Sequence, residues 1–333
     1  MEPTSTHSGS APARGERIEN DADVFNKPTW YAEELPADHR AGFVAVVGRP
    51  NVGKSSLVNH LVGQKIAIVS PKPQTTRNRL LGILTLPAAQ IIFVDTPGIH
   101  QPRHKLGAYM VEMAAGAVPD ADVVLFLVDL STFPTEEDQT AARLLAQRAK
   151  APVILGLNKV DLVKPTDLQE RVDSYLALGT FGDWMLISAT RGDNLDKLLE
   201  MIVQRLPMGP RYYPPEQTTD QHERFIAGEL IREKILFHTH QEVPYSIAVV
   251  VEEFKERRED LIYISATIYV ERESQRGIVI GKGGERLKRI STEARQEIEQ
   301  VFGRSVYLEL WVKARKNWRE DARMLREFGY AGA

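Results

Sequence analysis

Cysteine is absent from all 333 residues. That excludes disulfides and thiolate-bound metals, and it suits a reducing compartment. The 8 histidines form no metal-ligand spacing, and His238 and His240, at a predicted helix end, read as solvated side chains. No apolar run is long enough to span a membrane; the longest, such as residues 123–128, have the length of a strand. An apolar leader after a basic start is also missing, so the expected location is cytoplasmic. The net charge of −3 argues against a globally basic nucleic-acid binder but leaves local patches open. No internal repeat is visible. The chain is long enough for two domains, each with its own core.

Residues 1–40 are rich in Ser, Pro, Ala, Asp and Glu and lack apolar periodicity, which predicts a disordered acidic tail with Trp30-Tyr31 as a possible anchor. Residues 41–207 alternate short apolar runs (43–47, 66–69, 80–86, 90–94, 123–129, 153–157 and 184–188) with helical patterns at 54–62, 136–147, 167–178 and 194–206. This alternation predicts an α/β domain with a mostly parallel sheet covered by helices on both faces, and ligands at the carboxyl ends of its strands. Residues 208–221 form a Pro-rich linker. Residues 222–333 read as an α+β domain of order αββααβ, with Asp220 the expected N-cap of its first helix, strands at 243–254, 261–271 and 306–312, and a closing amphipathic segment at 321–328.

GRPNVGKS at 48–55 fits G-x-x-x-x-G-K-S directly after a strand and at the start of a helix. The loop Gly48, Arg49, Pro50, Asn51, Val52, Gly53, Lys54, Ser55 and Ser56 is assigned to phosphates. Its glycines let backbone N–H groups converge, Lys54 reaches the β- and γ-phosphates, and the Ser55 hydroxyl ligates Mg2+. DTPGI supplies Asp95 for the metal, Thr96, Pro97 and Ile99 as loop, and the Gly98 N–H for the γ-phosphate. In the intervening QTTR loop Thr76, with Thr75 as the alternative, is the hydroxyl that reaches the metal only when a γ-phosphate is present. NKVD (Asn158, Lys159, Val160, Asp161) selects guanine over adenine. Asp161 can accept from both N1–H and the 2-amino group, whereas adenine would leave it unpaired. Asn158 contacts guanine N7 or ties the loops together, and the Lys159 stem stacks on the base. Ser188, Ala189 and Thr190 stand where a backbone N–H for guanine O6 is wanted. The catalytic set is therefore Lys54, Thr76 and Gly98, and the ligands are GTP or GDP with Mg2+.

Many GTP-hydrolysing switches place a Gln after the Asp-x-x-Gly to orient water. Here Ile99 stands there and can form no side-chain hydrogen bond. The expectation is that Ile99 points away, that backbone groups of Thr76–Arg77 and Gly98 hold the water, and that intrinsic hydrolysis is slow.

The C-terminal half contains G-x-x-G as Gly281, Lys282, Gly283 and Gly284, with Arg286, Lys288 and Arg289 close behind and Ile278 and Ile280 before it. Such a loop admits a nucleic-acid backbone beside a groove for about four unpaired bases. These nine residues are the candidate RNA contacts. Lys313, Arg315, Lys316 and Arg319 add a second basic cluster near Trp311 and Trp318.

GRPNVGKSSLVN, the QTTR loop, DTPGIH, NKVD and SAT resemble the translation-factor-like branch of small GTPases, and within it the Era family. The order αββααβ around the G-x-x-G resembles the type II KH fold. The resemblance implies a monomeric GTPase that binds 16S ribosomal RNA near its 3′ end, acts in assembly of the small (30S) ribosomal subunit, and permits peripheral contact with the inner face of the cell membrane. It also implies Asn51 as a candidate potassium ligand near the phosphates. The competing readings are an RNA chaperone with GTP as a structural ligand, and a membrane-associated regulatory GTPase.

Overall fold

The computed structural model describes residues 35–330; the expected tail, with Trp30-Tyr31, lies outside the described residues up to position 34. The first apolar run becomes β1 (Arg40–Val47), with Val44 through Val47 fully buried. Gly53, at φ 103, lets the chain turn directly into α1 (Lys54–Val62), and Gly63, at φ 75, closes that helix. Then come β2 (Leu80–Leu86), β3 (Ala89–Asp95), α2 (Lys105–Gly116), β4 (Val123–Asp129), α3 (Glu136–Arg148), β5 (Val153–Asn158), α4 (Leu168–Leu176), β6 (Asp183–Leu186) and α5 (Leu195–Val203).

The six strands run in the order β2-β3-β1-β4-β5-β6, all parallel except the β2–β3 pairing. Leu57, Leu61, Leu198 and Ile202 of α1 and α5 cover one face. Ala141, Leu145, Val172 and Tyr175 of α3 and α4 cover the other. Burial on both faces explains the unbroken apolar runs, and it brings the motif-bearing loops to one edge of the sheet.

The second layer comprises α6 (Glu223–His238), β7 (Ala248–Arg258), β8 (Leu261–Val270), α7 (Glu273–Ile280), α8 (Glu285–Phe302), β9 (Ser305–Ala314) and α9 (Ala322–Glu327). Its three-stranded sheet has the order β7-β8-β9, antiparallel then parallel.

Several elements differ from expectation for identifiable reasons. Residues 66–69 form no strand, because the Asn59 side chain occupies their backbone: its Oδ1 accepts from Ile66 and Ala67 N–H, and its Nδ2 donates to the Ala67 carbonyl. Ile68 instead enters the core of the C-terminal layer among Leu230, Ile231 and Ile235. Helix α2 escaped the sequence reading, although Leu106, Met110 and Ala114 carry its spacing and His104 Nδ1 caps it by accepting from Gly107 N–H. Leu106 and Met110 belong to a cluster with Trp318, Leu325, Phe328 and Tyr330, so the two layers share apolar contacts. Asp220 is not the N-cap of α6; His222 occupies that position, and Asp220 accepts from Gln221 instead. β7 begins only at Ala248 because Pro244 places residues 244–246 in a 3-10 turn. The Pro-rich stretch is tied down: Gln90 Oε1 accepts from Tyr212 and Tyr213 N–H, and Gly82 bridges Thr219.

Candidate functional site

The carboxyl edge of the large sheet holds a cavity of about 560 Å3 lined by Pro50, Gly53, Lys54, Thr76, Asp161 and Thr190 among others. The loop at 48–55 needs its glycines for space. A Cβ on Gly48 would lie 2.2 Å from the Leu127 carbonyl oxygen, and one on Gly53 2.4 Å from Asn158 Nδ2. The Lys54 ammonium folds back over this loop, donating to the carbonyls of Gly48 (3.2 Å) and Arg49 (2.9 Å). Burial pushes its pKa down to about 8, against the opposing pull of Asp95.

Beside it, Ser55 Oγ donates to Asp95 Oδ2 (2.6 Å) and lies 2.7 Å from Thr76 Oγ1. Thr75 turns the other way, its hydroxyl on Ser70 and the Lys72 carbonyl. Asp95 is fully buried, its Oδ1 has no partner, and burial raises its pKa to about 6 despite Ser55 and Lys54. Two hydroxyls and a carboxylate with a spare, dehydrated oxygen suit a hard divalent cation such as Mg2+, which takes few protein oxygens and completes its shell with phosphate and water. No cluster of three or more His, Cys, Asp or Glu able to hold a metal occurs among the described residues.

Gly98 presses on the phosphate loop so closely that a Cβ would stand 2.5 Å from Pro50 N. The Ile99 N–H donates to the Gly48 carbonyl at 3.0 Å, and the His100 ring contacts the Gly98 carbonyl through Nδ1 at 2.8 Å. The Ile99 side chain is fully buried, in the core cluster that holds Ile92, Val94 and Val118.

At the far end Asp161 Oδ1 is buried without a partner, an acceptor waiting for donors. The Asn158 alternatives resolve toward tying loops: Nδ2 donates to Val52 O (2.7 Å) and Oδ1 accepts from Ala189 N–H (2.9 Å). That commits the Ala189 amide, as Ser188 N–H is committed to Asp193 O. Lys159 Nζ is held by Asp129 Oδ2 at 2.6 Å. Several predicted residues turn their side chains elsewhere. Arg49 pairs with Asp138 (3.0 Å), Thr96 Oγ1 donates to Val46 O, and Asn51 Nδ2 donates to Pro71 O (2.9 Å). Phe237 of α6 and Leu162 line the cavity without having been foreseen. Phe237 carries no motif; only the packing of the two layers reveals it.

In the second layer Gly281, Gly283 and Gly284 all have positive φ (76, 58 and 83). Lys282, Lys288 and Arg289 are exposed beside them, whereas Arg286 folds back to donate to the Ile278 carbonyl. Ile278 is 43% exposed and Ile280 packs against the core. Of the two tryptophans near the second basic cluster, Trp311 is exposed, but Trp318 is fully buried with its Nε1 donating to Ser246 O at 3.0 Å. His238 is not merely solvated: its Nε2 meets Glu293 Oε2 at 2.7 Å.

Residues 43–159 match the family described as "50S ribosome-binding GTPase", and residues 242–319 match the KH domain. Fold and site together define a P-loop GTPase joined to a KH domain. The chain is 53% identical to GTPase Era of Geotalea uraniireducens over 291 residues (87% of this chain, 98% of the relative) and 50% identical to GTPase Era of Geotalea daltonii over 290 residues (87% and 97%). It belongs to the Era family of GTPases. Two solved structures agree: Era with MgGDPNP and nucleotides 1506–1542 of 16S ribosomal RNA (TM-score 0.85, 42% identity, 88% of this chain and all of that one), and a point variant of Aquifex aeolicus Era bound to GDP and AlF4− (TM-score 0.83, 41%, same coverage).

Proposed function

We propose that this chain is a GTP-hydrolysing switch that binds 16S ribosomal RNA near its 3′ end and times a step in small-subunit assembly in the cytoplasm. The observation that carries the reading is Asp161 Oδ1, a buried acceptor without a partner in the same cavity as the phosphate loop and Thr76. Guanine supplies the paired donors that Asp161 lacks. Lys54 binds the β- and γ-phosphates, and the Gly98 N–H holds the γ-phosphate end. Backbone groups of Thr76, Arg77 and Gly98 orient the water that Ile99 cannot. Ser55, Thr76 and Asp95 would hold Mg2+, which when bound neutralises charge on phosphate oxygens.

The matching family description names the 50S subunit, but that match stops at residue 159 and excludes the KH domain. The RNA-bound relative aligns over 88% of this chain at 42% identity, so its 16S partner is the better guide. The Gly281–Gly284 loop, with exposed Lys282, Lys288 and Arg289, is the proposed RNA contact. No helix among the described residues is long and apolar enough to cross a membrane.

Crosslinking the full chain to a 16S 3′-terminal RNA with GTP, GDP and no nucleotide tests the switch. A nucleotide-dependent pattern is expected, and Lys54→Ala should abolish the dependence. An unchanged pattern in all three states would instead favour an RNA chaperone with GTP as a structural ligand. Asn51 is proposed as a potassium ligand by family likeness; equal hydrolysis rates in potassium and sodium would remove that role.

A further inference from the structure

Three consecutive residues of the switch loop face two ways. The Thr75 carbonyl accepts from Nη2 of Arg232 on α6, and the Arg77 guanidinium is inserted into the KH side. There Arg77 donates to the carbonyls of Pro244, Tyr245 and Ile247 and to Tyr330 Oη. Thr76, between them, turns toward the nucleotide cavity and places Oγ1 2.7 Å from Ser55 Oγ. Both arginines are almost completely buried, Arg77 at 2% and Arg232 at 0% exposure. Their surroundings differ. Arg232 is held bidentately by Glu229 (2.8 and 2.6 Å), whereas the contacts of Arg77 are neutral oxygens; each guanidinium keeps one nitrogen without a partner, Nε of Arg77 and Nη1 of Arg232. Burial lowers the pKa of Arg77. For Arg232 burial acts the same way, but the Glu229 carboxylate outweighs it and the net shift is upward.

A guanidinium with only neutral acceptors regains hydration when it leaves, so the inserted state of Arg77 is conditional. Arg232 is preformed by its partner, and its donor to Thr75 fixes the peptide immediately before Thr76. We propose that Arg232, on α6 of the C-terminal layer, is a positioning residue for GTP hydrolysis: with Arg77 it brackets Thr76 and presents that hydroxyl to Ser55. This rests on the reading of Thr76 as the γ-phosphate-dependent metal ligand. It makes the RNA-binding domain part of the GTPase site, and anything that shifts α6 withdraws Thr76 without touching the phosphate loop.

The test uses the full chain with Arg232→Met, Arg232→Lys, Thr76→Ala and the double variant Thr76→Ala/Arg232→Met. Arg232→Met should lower kcat about 10-fold or more, since small displacements of reacting groups cost at least this much. GDP affinity should stay within about twofold, because GDP lacks the phosphate that recruits Thr76. Hydrogen exchange of the 70–79 amides should accelerate in nucleotide-free protein. Arg232→Lys should recover part of kcat, and the double variant should be no slower than Thr76→Ala alone. Arg232→Met at the parent kcat, with Thr76→Ala slow, would overturn the inference alone. Thr76→Ala at the parent kcat would overturn the metal-ligand reading and the inference with it. If Arg232→Met fails to fold, Glu229→Gln/Arg232→Met, which leaves no unpaired carboxylate, is read by the same criteria.

Discussion

Asn158 donates from Nδ2 to the Val52 carbonyl at 2.7 Å. One side chain thus joins the guanine loop to the phosphate loop, and its Oδ1 extends the tie to Ala189 at 2.9 Å. Asn158→Ala leaves two buried backbone groups unpaired, at about 1–3 kcal/mol each. GDP affinity should fall by roughly 30-fold or more, equivalent to about 2 kcal/mol. Titration with a fluorescent GDP analogue measures it; a change under threefold would show that the loops hold without this tie.

Asp161→Asn replaces one acceptor oxygen with a donor. Guanine presents two donors to that group, whereas xanthine offers an oxygen in place of the 2-amino group. The variant should lose affinity for GTP by about 100-fold or more, as expected when a buried polar partner is mismatched, and gain it for xanthosine triphosphate. Competition between the two nucleotides reads the exchange directly, and retained guanine preference would move base recognition away from Asp161.

Gly98→Ala places a Cβ 2.5 Å from Pro50 N and 2.6 Å from Pro50 Cα. Both are backbone atoms, so no rotamer relieves the clash. The loop carrying Gly98 must back away from the phosphate loop, and single-turnover hydrolysis should slow by about 100-fold. GDP binding should be largely spared, since Gly98 serves the γ-phosphate end; equal losses of both would point to collapse of the phosphate loop.

Burial among the protein's own groups lowers the pKa of Lys54 to about 8. Bound phosphates favour its charged form, so its pKa in the complex is higher. Affinity is then fully present below pH 8 and declines as pH rises through about 8. The sign for folding is opposite. A lysine depressed in the folded state disfavours folding while charged, and this penalty fades above about 8 as it loses its proton. GDP titrations without Mg2+ from about pH 7 to about pH 9.5 should slope downward by at most tenfold per pH unit, and a flat profile would contradict the burial of Lys54.

The motif loops were legible because each couples a backbone requirement to a chemistry. Gly48 and Gly53 mark places where a Cβ does not fit, and Asp161 marks an acceptor for a base. The mostly parallel sheet, though not the order of its strands, followed from apolar runs buried on both faces. Residues 66–69 misled because a strand-like run can equally serve as an interface, and only Asn59 decides which. Trp318 misled because charge around an aromatic residue does not reveal its burial. Arg232 and Phe237 were invisible as site residues, and of Arg77 only the backbone was foreseen, since the side-chain contacts of both arginines cross more than 150 positions of sequence.

Ile68 has a consequence for modular exchange. The hydrophobic interior beyond the linker is completed by a side chain from before it, so that interior is not self-sufficient. Severing the chain at 208–221 leaves a socket where Ile68 sat, comparable to a large-to-small core truncation at about 2–5 kcal/mol. A KH domain transplanted onto another GTPase would need the 66–69 segment of its original host as well. The inheritable unit is therefore the whole two-layer body, and the linker marks a seam in the sequence without marking one in the core.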